Sequence, residues 1–258
     1  MMEKSQRGVK FTNNTYHPFI EERKSLGIEH CSICDDYGVE QYIAEDNVVR
    51  TRPCECMKEF YNRKRIKFSG LGTTVADKTF ESYKADETWQ DGIKRTAMSF
   101  VYTPNAWFYI GGAVGCGKTH ICTAICGVLL KSKNVQYLSW RGGHIQAIKS
   151  SVLDEVRYRE LIEPLKNVEV LYIDDLFKNG GGKITDADIN LAFSILDFRY
   201  INKLTTVISS EYFIDKLMKI DGAISSRIYE MSYGFCSQII DDDGSKNYRL
   251  KKRELIQK

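Results

Sequence analysis

From Gly112 to Thr119 the chain reads Gly-Ala-Val-Gly-Cys-Gly-Lys-Thr: one glycine, four residues, then Gly-Lys-Thr. That spacing is the sequence form of a phosphate-binding loop. A polyphosphate is held by several backbone N–H groups aimed at one point, and Gly112, Gly115 and Gly117, with Cys116 between them, allow so tight a curl. The helix that follows turns its positive N-terminal end toward the phosphates. Lys118 is expected to reach the β- and γ-phosphates, Thr119 to hold Mg²⁺, and His120 to join the binding set. The implied ligand is ATP or ADP with Mg²⁺.

A second chemical signal lies about 55 residues on. The apolar run Val170-Leu171-Tyr172-Ile173 ends in Asp174-Asp175. A carboxylate pair at the C-terminal end of a buried strand is the Walker B pattern. Asp174 is expected to hold Mg²⁺, directly or through water, and Asp175 to orient the attacking water. Asp175 is one methylene shorter than the Glu found there in most such ATPases, which points to slow hydrolysis. Farther on, the strand tip Ser209-Ser210-Glu211 offers a polar group for the γ-phosphate or the water, with Ser210 the first choice and Ser209 the second. Arg227, in Ser225-Ser226-Arg227, suits a finger that serves the γ-phosphate of a neighbouring subunit.

The third signal is a set of thiols. Cys31 and Cys34 form one close pair, and Cys54 and Cys56 another, 20 residues after the first. Two pairs joined by a loop can each grip one edge of a tetrahedral Zn²⁺. So short a segment buries little apolar surface, so metal supplies much of its folding energy.

The elements that must position these groups follow from the pattern. The chain has 258 residues, 43% hydrophobic and 28% charged, an ordinary globular composition without a long apolar segment. Its polar start, Met1–Lys10, carries no signal-peptide core, and a cytoplasmic location off the membrane is expected. Eight cysteines in that compartment read as thiols or metal ligands. Ser69-Gly70-Leu71-Gly72 is a flexible joint, giving a zinc-binding domain over 1–70 and a nucleotide-binding domain over 71–258.

In the first domain a short helix over 16–26 and a basic helix over 57–67 are expected. In the second, strands over 106–110, 135–140, 168–173, 205–209 and 235–240 alternate with helices over 88–102, 121–129, 144–156 and 186–200. That alternation predicts an α/β fold with a parallel sheet. Basic clusters, Arg50 to Lys67 and Lys246 onward, raise the option of a nucleic-acid backbone as partner.

Taken together, the chain resembles AAA+ ATPases, in particular the DnaC- and DnaI-type helicase loaders and the related IstB-like ATP-binding proteins. The likeness runs over about 75–250. It rests on Thr79-Phe80-Glu81-Ser82-Tyr83, the Gly112–Thr119 loop, Ile173-Asp174-Asp175-Leu176, Arg199-Tyr200, Thr205 to Ser210, and Ser226-Arg227. It implies a five-stranded sheet in the order 5-1-4-3-2 without the large C-terminal lid, and Phe80 and Tyr83 near the adenine. It also implies ATP-dependent self-association, single-stranded DNA and a replicative helicase as partners, and a DNA-facing region that includes Trp140, Arg141, Arg157 and Arg159. Arg249 is a weak candidate for a second sensor.

Two alternatives share the core: an IstB-type transposition helper, and a nucleotide-gated DNA-binding adaptor with little hydrolysis. A small-molecule kinase is disfavoured, because Leu176 to Lys183 is glycine-rich where a kinase carries an arginine-bearing lid.

Overall fold

The computed structural model describes residues 18–179 and 182–250. Met1–Lys10, Gly180, Gly181, and the basic residues Lys251, Lys252, Arg253 and Lys258 lie outside the described residues. The chain divides into two compact units, Met1–Lys67 and Phe68–Lys258.

In the first unit, helix α1 (Pro18–Ser25) leads to the Cys31–Cys34 turn, then to a hairpin of β1 (Val39–Ile43) and β2 (Val49–Pro53), and to α2 (Cys56–Phe68). The hairpin is antiparallel, with Val39 opposite Pro53 and Ile43 opposite Val49. It joins the two cysteine pairs and was not evident from the sequence, because its strands are mostly exposed and lack a regular apolar alternation. Arg50, Arg52, Lys58, Arg63 and Lys64 are ion-paired with Asp46, Glu40, Glu55, Glu59 and Glu22. Much of the first basic cluster is thus neutralised locally, a solvated face more than a phosphate track.

The second unit runs α3 (Thr74–Asp77), α4 (Thr88–Phe100), β3 (Trp107–Gly112), α5 (Lys118–Leu129), β4 (Val135–Ser139), α6 (Gly143–Ser150), α7 (Glu155–Asn167) and β5 (Val170–Leu176). It continues through α8 (Asp186–Ile201), β6 (Thr205–Ser210), α9 (Ile214–Ile220), α10 (Gly222–Met231) and β7 (Cys236–Ile239). All pairings in its five-stranded sheet are parallel, in the order β4-β5-β6-β3-β7. Counted from the strand before the phosphate loop, that is the expected 5-1-4-3-2 order. Strand β3 is buried along its whole length, as a central parallel strand covered on both faces must be. Among the described residues no helix is long and apolar enough to cross a membrane.

The expected single helix over 144–156 is broken. Ser151 Oγ turns back to the Ile148 carbonyl (2.9 Å), and Asp154 caps a new helix by accepting from Arg157 N–H (3.0 Å). Helix α8 opens on a capping box between Thr185 and Asp188. Burial pushes the Asp188 carboxyl up, but hydrogen bonds from Lys149, Thr185 and Asn179 overcome that and hold it at about 2.

Arg199 ties the back of the sheet together. It is fully buried, and its guanidinium donates to the carbonyls of Leu165, Lys166, Val168 and Thr205 and to Thr206 Oγ1. Burial draws it down to about 9. It thus joins the end of α7, α8 and the start of β6 through acceptors that would otherwise be orphaned. Arg199→Ala is expected to cost about 3 kcal/mol or more of unfolding free energy, read as a lower urea midpoint; a loss under about 0.5 kcal/mol would contradict this role.

Candidate nucleotide and metal sites

Three neighbouring strands and the helix after the phosphate loop converge on one carboxylate. Asp174 Oδ1 accepts from Tyr172 Oη (2.7 Å), Ser209 Oγ (2.6 Å) and Thr119 Oγ1 (3.3 Å), and Oδ2 accepts from Tyr137 Oη (3.0 Å). Burial and the Asp174 charge push the Tyr137 hydroxyl up to about 12 and Tyr172 well above its ordinary value, so both remain proton donors. The parallel register sets this up, pairing Tyr137 with Tyr172 and Ser139 with Asp174.

A bulge brings the second carboxylate to the same strand end. Ile173 pairs with Ile208, but the next pair is Leu176 with Ser210, so Asp174 and Asp175 together face Ser209. Ser209 Oγ donates to Asp174 and accepts from Asp175 N–H (3.0 Å). Asp175 adopts a left-handed φ of 58°, an uncommon conformation for a residue with a side chain. Ser210 is a correction. Its Oγ donates to the Leu176 carbonyl (2.9 Å) and accepts from Tyr212 N–H (3.2 Å), so it serves the backbone while Ser209 meets the carboxylate. Adjacent strand residues face opposite ways, and sequence alone did not say which of the two serines faced in.

The phosphate loop is curled with Gly112 and Gly117 at φ 121° and 93°, values a side chain would resist. Lys118 Nζ donates to the Gly112 (2.7 Å) and Ala113 (2.6 Å) carbonyls, and Cys116 Sγ to Ala113 (2.9 Å). A cavity of about 190 Å³ opens here, lined by Gly115, Gly117, Lys118, Thr119, Asp175 and Lys178 among others. Thr119 Oγ1 and Asp174 Oδ1, 3.3 Å apart, fit two adjacent positions around Mg²⁺, whose oxygen ligands at ~2.1 Å stand roughly 3 Å from one another.

Sequence reasoning missed two members of this wall. Lys178 Nζ lies 3.2 Å from Asp175 Oδ2 and 2.5 Å from Glu211 Oε1. Burial pulls the Lys178 ammonium down, but its bonds to Glu211 and Asp175 prevail and leave it above the ordinary lysine value. The signal for Glu211 was its place right after the Ser209-Ser210 tip; Lys178 left none, because the tight turn that aims it was not legible.

The remaining expected residues fall in several places. His120 lines the cavity, and its Nε2 donates to the Thr79 carbonyl (3.0 Å). Burial holds the His120 imidazole below its ordinary value, in keeping with a neutral ring. Tyr83 is buried edge-on to His120, with ring centroids 5.3 Å apart, and packs against Gly117. Phe80 is also buried. Neither aromatic lines the cavity itself, whereas Lys78 and Arg249 do. Arg227 is not in the cavity wall. It pairs with Asp197 (2.7 Å) and lies over the rings of Phe193 and Tyr200. Trp140 cannot face DNA as expected: it is 2% exposed and packed edge-on against Phe177. Arg157 and Arg159 are exposed and paired within α7.

In the first unit, Cys31, Cys34, Cys54 and Cys56 bring their sulfurs within 4.8 Å of one another. Cys31 and Cys54 are 3.7 Å apart and Cys34 and Cys56 3.5 Å. Zn–S bonds of ~2.3 Å in a tetrahedron place sulfurs roughly 3.8 Å apart, so the set fits zinc. Asp35 and Asp36, both at positive φ, form the turn, and Asp36 accepts from Cys31 N–H (2.7 Å). Gly38 N–H donates to Cys34 Sγ (3.3 Å). Burial pushes Cys31 up, but backbone and thiol hydrogen bonds bring it down to about 7; burial and the neighbouring thiols push Cys56 up. A bound cation would let all four ionise together.

No protein-family model matches the chain. It is 36% identical over 141 residues to the uncharacterized protein YqaM of Bacillus subtilis, across 54% of this chain and 44% of that one. It is 33% identical over 144 residues to the phage-like element PBSX protein XkdC of Bacillus subtilis, across 54% and 53%. The chain thus spans about half the length of these relatives. It is 27% identical over 175 residues to the replicative helicase loader DnaC of Escherichia coli, across 64% and 66%. Domain III of the Thermotoga maritima replication initiation protein DnaA aligns with a TM-score of 0.54 at 20% identity, covering 70% of this chain and 74% of that one. The replication initiator DnaA bound to AMPPCP and single-stranded DNA aligns with a TM-score of 0.53 at 21% identity, covering 70% and 55%. The chain thus shares the fold of these DnaA structures, and its sequence is similar to that of the DnaC loader.

The thiol geometry makes a measurable statement. Elemental analysis is expected to find one zinc per chain. A strong chelator is expected to unfold the Met1–Lys67 unit while the thermal transition of the larger unit stays in place. Protein that is folded throughout and carries no zinc would refute the site.

Proposed function

We propose that this chain is an ATP-dependent loader that places a replicative DNA helicase on single-stranded DNA in replication initiation, acting as a cytoplasmic, self-associating ATPase. The observation that carries the proposal is the convergence of Thr119, Tyr137, Tyr172 and Ser209 on Asp174 beside the phosphate loop. Such a carboxylate, next to a Gly-Lys-Thr loop, suits a magnesium-bound triphosphate. The similarity to the DnaC loader over 64% of the chain favours helicase loading among the functions open to this fold.

Each residue then has a task. On nucleotide binding Lys118 leaves the Gly112 and Ala113 carbonyls for the β- and γ-phosphates, while Gly115 and Gly117 present backbone N–H groups. Thr119 and Asp174 hold the magnesium, which supplies charge neutralisation at the phosphates. Asp175 orients water, and Ser209 fixes both Asp174 and the Asp175 backbone. Phe80 and Tyr83 flank the base. Arg227 leaves Asp197 to reach the γ-phosphate of an adjoining subunit, so hydrolysis requires assembly. The zinc-binding unit, residues 1–70, grips the helicase. A silent, nucleotide-gated adaptor is a second reading, favoured by the short Asp175 and its ion pair with Lys178.

Light scattering coupled to gel filtration tests the proposal on the full chain mixed with its host's replicative helicase. A defined complex in the presence of ATP and Mg²⁺ is expected; assembly on DNA without a helicase complex would favour the IstB-type helper. Lys118→Ala is expected to lower affinity for a fluorescent ATP analogue at least tenfold, a loss of about 1.4 kcal/mol or more. Arg227→Ala is expected to bind ATP normally and to lose the turnover that rises with protein concentration. Unaltered turnover would remove Arg227 from the site.

A further inference from the structure

The wall of the nucleotide cavity carries a charge arrangement that the phosphate loop does not explain. Asp175 and Glu211 stand at the tips of neighbouring strands, and both line the cavity that Lys118 and Thr119 line. Two carboxylates at that place would repel the terminal phosphate of a triphosphate. A diphosphate seated on the same loop does not extend so far toward the strand tips. Lys178 stands between the two acids, bonded to both, with its side chain 22% exposed. Charges so withdrawn from water act on one another more strongly than surface charges do.

Nor is Lys178 a loosely held surface lysine. Its N–H is bonded to the Asp175 carbonyl (2.9 Å), closing a tight turn. On one side Phe177, at φ 65°, is 1% exposed and packed against Trp140. On the other, Asn179 donates to Asp188 (3.1 Å) and to the Lys183 carbonyl (3.1 Å). The backbone is fixed on both sides, and the ammonium is aimed before any ligand arrives.

We propose that Lys178 is the residue with which this site tells a triphosphate from a diphosphate, by exchanging Glu211 for the terminal phosphate while remaining beside Asp175. The inference rests on the nucleotide-site reading and adds to it a second lysine, in the same chain, that reads the γ-phosphate. The exchange moves no proton and breaks no covalent bond. In the nucleotide's absence the same ammonium neutralises both acids. With a triphosphate bound, it shields the phosphate from Asp175 and leaves Glu211 to point to solvent.

The test is a pair of titrations of the full chain, with fluorescent ATP and ADP analogues in Mg²⁺. Lys178→Met is expected to weaken ATP about tenfold and ADP less than about twofold, the scale of one partly screened charge. Lys178→Arg is expected to retain most of the preference. Lys178→Met combined with Glu211→Gln is expected to recover much of the lost ATP affinity, since one repelling carboxylate is gone. An equal loss for both nucleotides, no loss for either, or a double variant no better than Lys178→Met would each overturn the proposal. If the unsubstituted chain bound ATP and ADP equally well, this inference would fail and the nucleotide site would stand. Binding of neither nucleotide would overturn both.

Discussion

A buried carboxylate with four hydroxyl partners is a severe constraint, and the larger unit is arranged to satisfy it. Asp174 is 7% exposed and accepts from groups on α5, β4, β5 and β6. Each donor must arrive at the right height, which the parallel register of the three strands secures. A slip of one residue in any strand would turn its hydroxyl to the opposite face and strand the charge in an apolar wall. The fully buried run Val170 to Ile173 and the brace at Arg199 hold the strands against such slips, and the bulge at Asp174–Asp175 fixes where the strand ends.

The parts of this arrangement that depend on local chemistry were legible in the sequence. The phosphate loop, the apolar strand ending in two acids and the four cysteines rest on residue type and spacing, while the sheet order came from the family resemblance; the structure sets the loop beside Asp174, clusters the four sulfurs and has that strand order. What was not legible depends on tertiary geometry. The bulge decides that Ser209 and not Ser210 meets the carboxylate, and no spacing rule reports a bulge. Trp140 reads as a recognition aromatic but is core, because Phe177 folds back over it at positive φ. The basic stretch of the first unit reads as a phosphate surface until its cations are seen to pair with Glu and Asp brought close by the hairpin and helices. Lys178 became visible only once the turn that aims it was in place.

The two units hold themselves together by different means. The larger buries apolar residues on both faces of its sheet: Trp107, Tyr109, Leu171, Ile173 and Ile208 join α6 to α10 in one contiguous core, and the alternate positions Phe108, Ile110, Val170, Tyr172 and Val207 are buried on the other face. Among the described residues of the smaller, the buried apolar ones are Ile28, Cys34, Cys54 and Phe60, two of them thiols of the cluster. Domains with so little core commonly rely on a metal. On this account zinc keeps a small grip folded, while the nucleotide governs the larger unit. On the proposed reading the γ-phosphate would be the control point, since Asp175, Lys178 and Glu211 line the same cavity as the phosphate loop.

The most direct test of this account is calorimetric titration of ATP into the chain with Mg²⁺ and with EDTA, for the natural sequence and for Asp174→Asn. The account predicts tight binding that depends on Mg²⁺ in the natural chain, and an Asp174→Asn variant that stays folded but gains little from the metal. Equal affinity with and without Mg²⁺, or an Mg²⁺ dependence untouched by the substitution, would contradict the claim that Asp174 is the centre of a magnesium–nucleotide site.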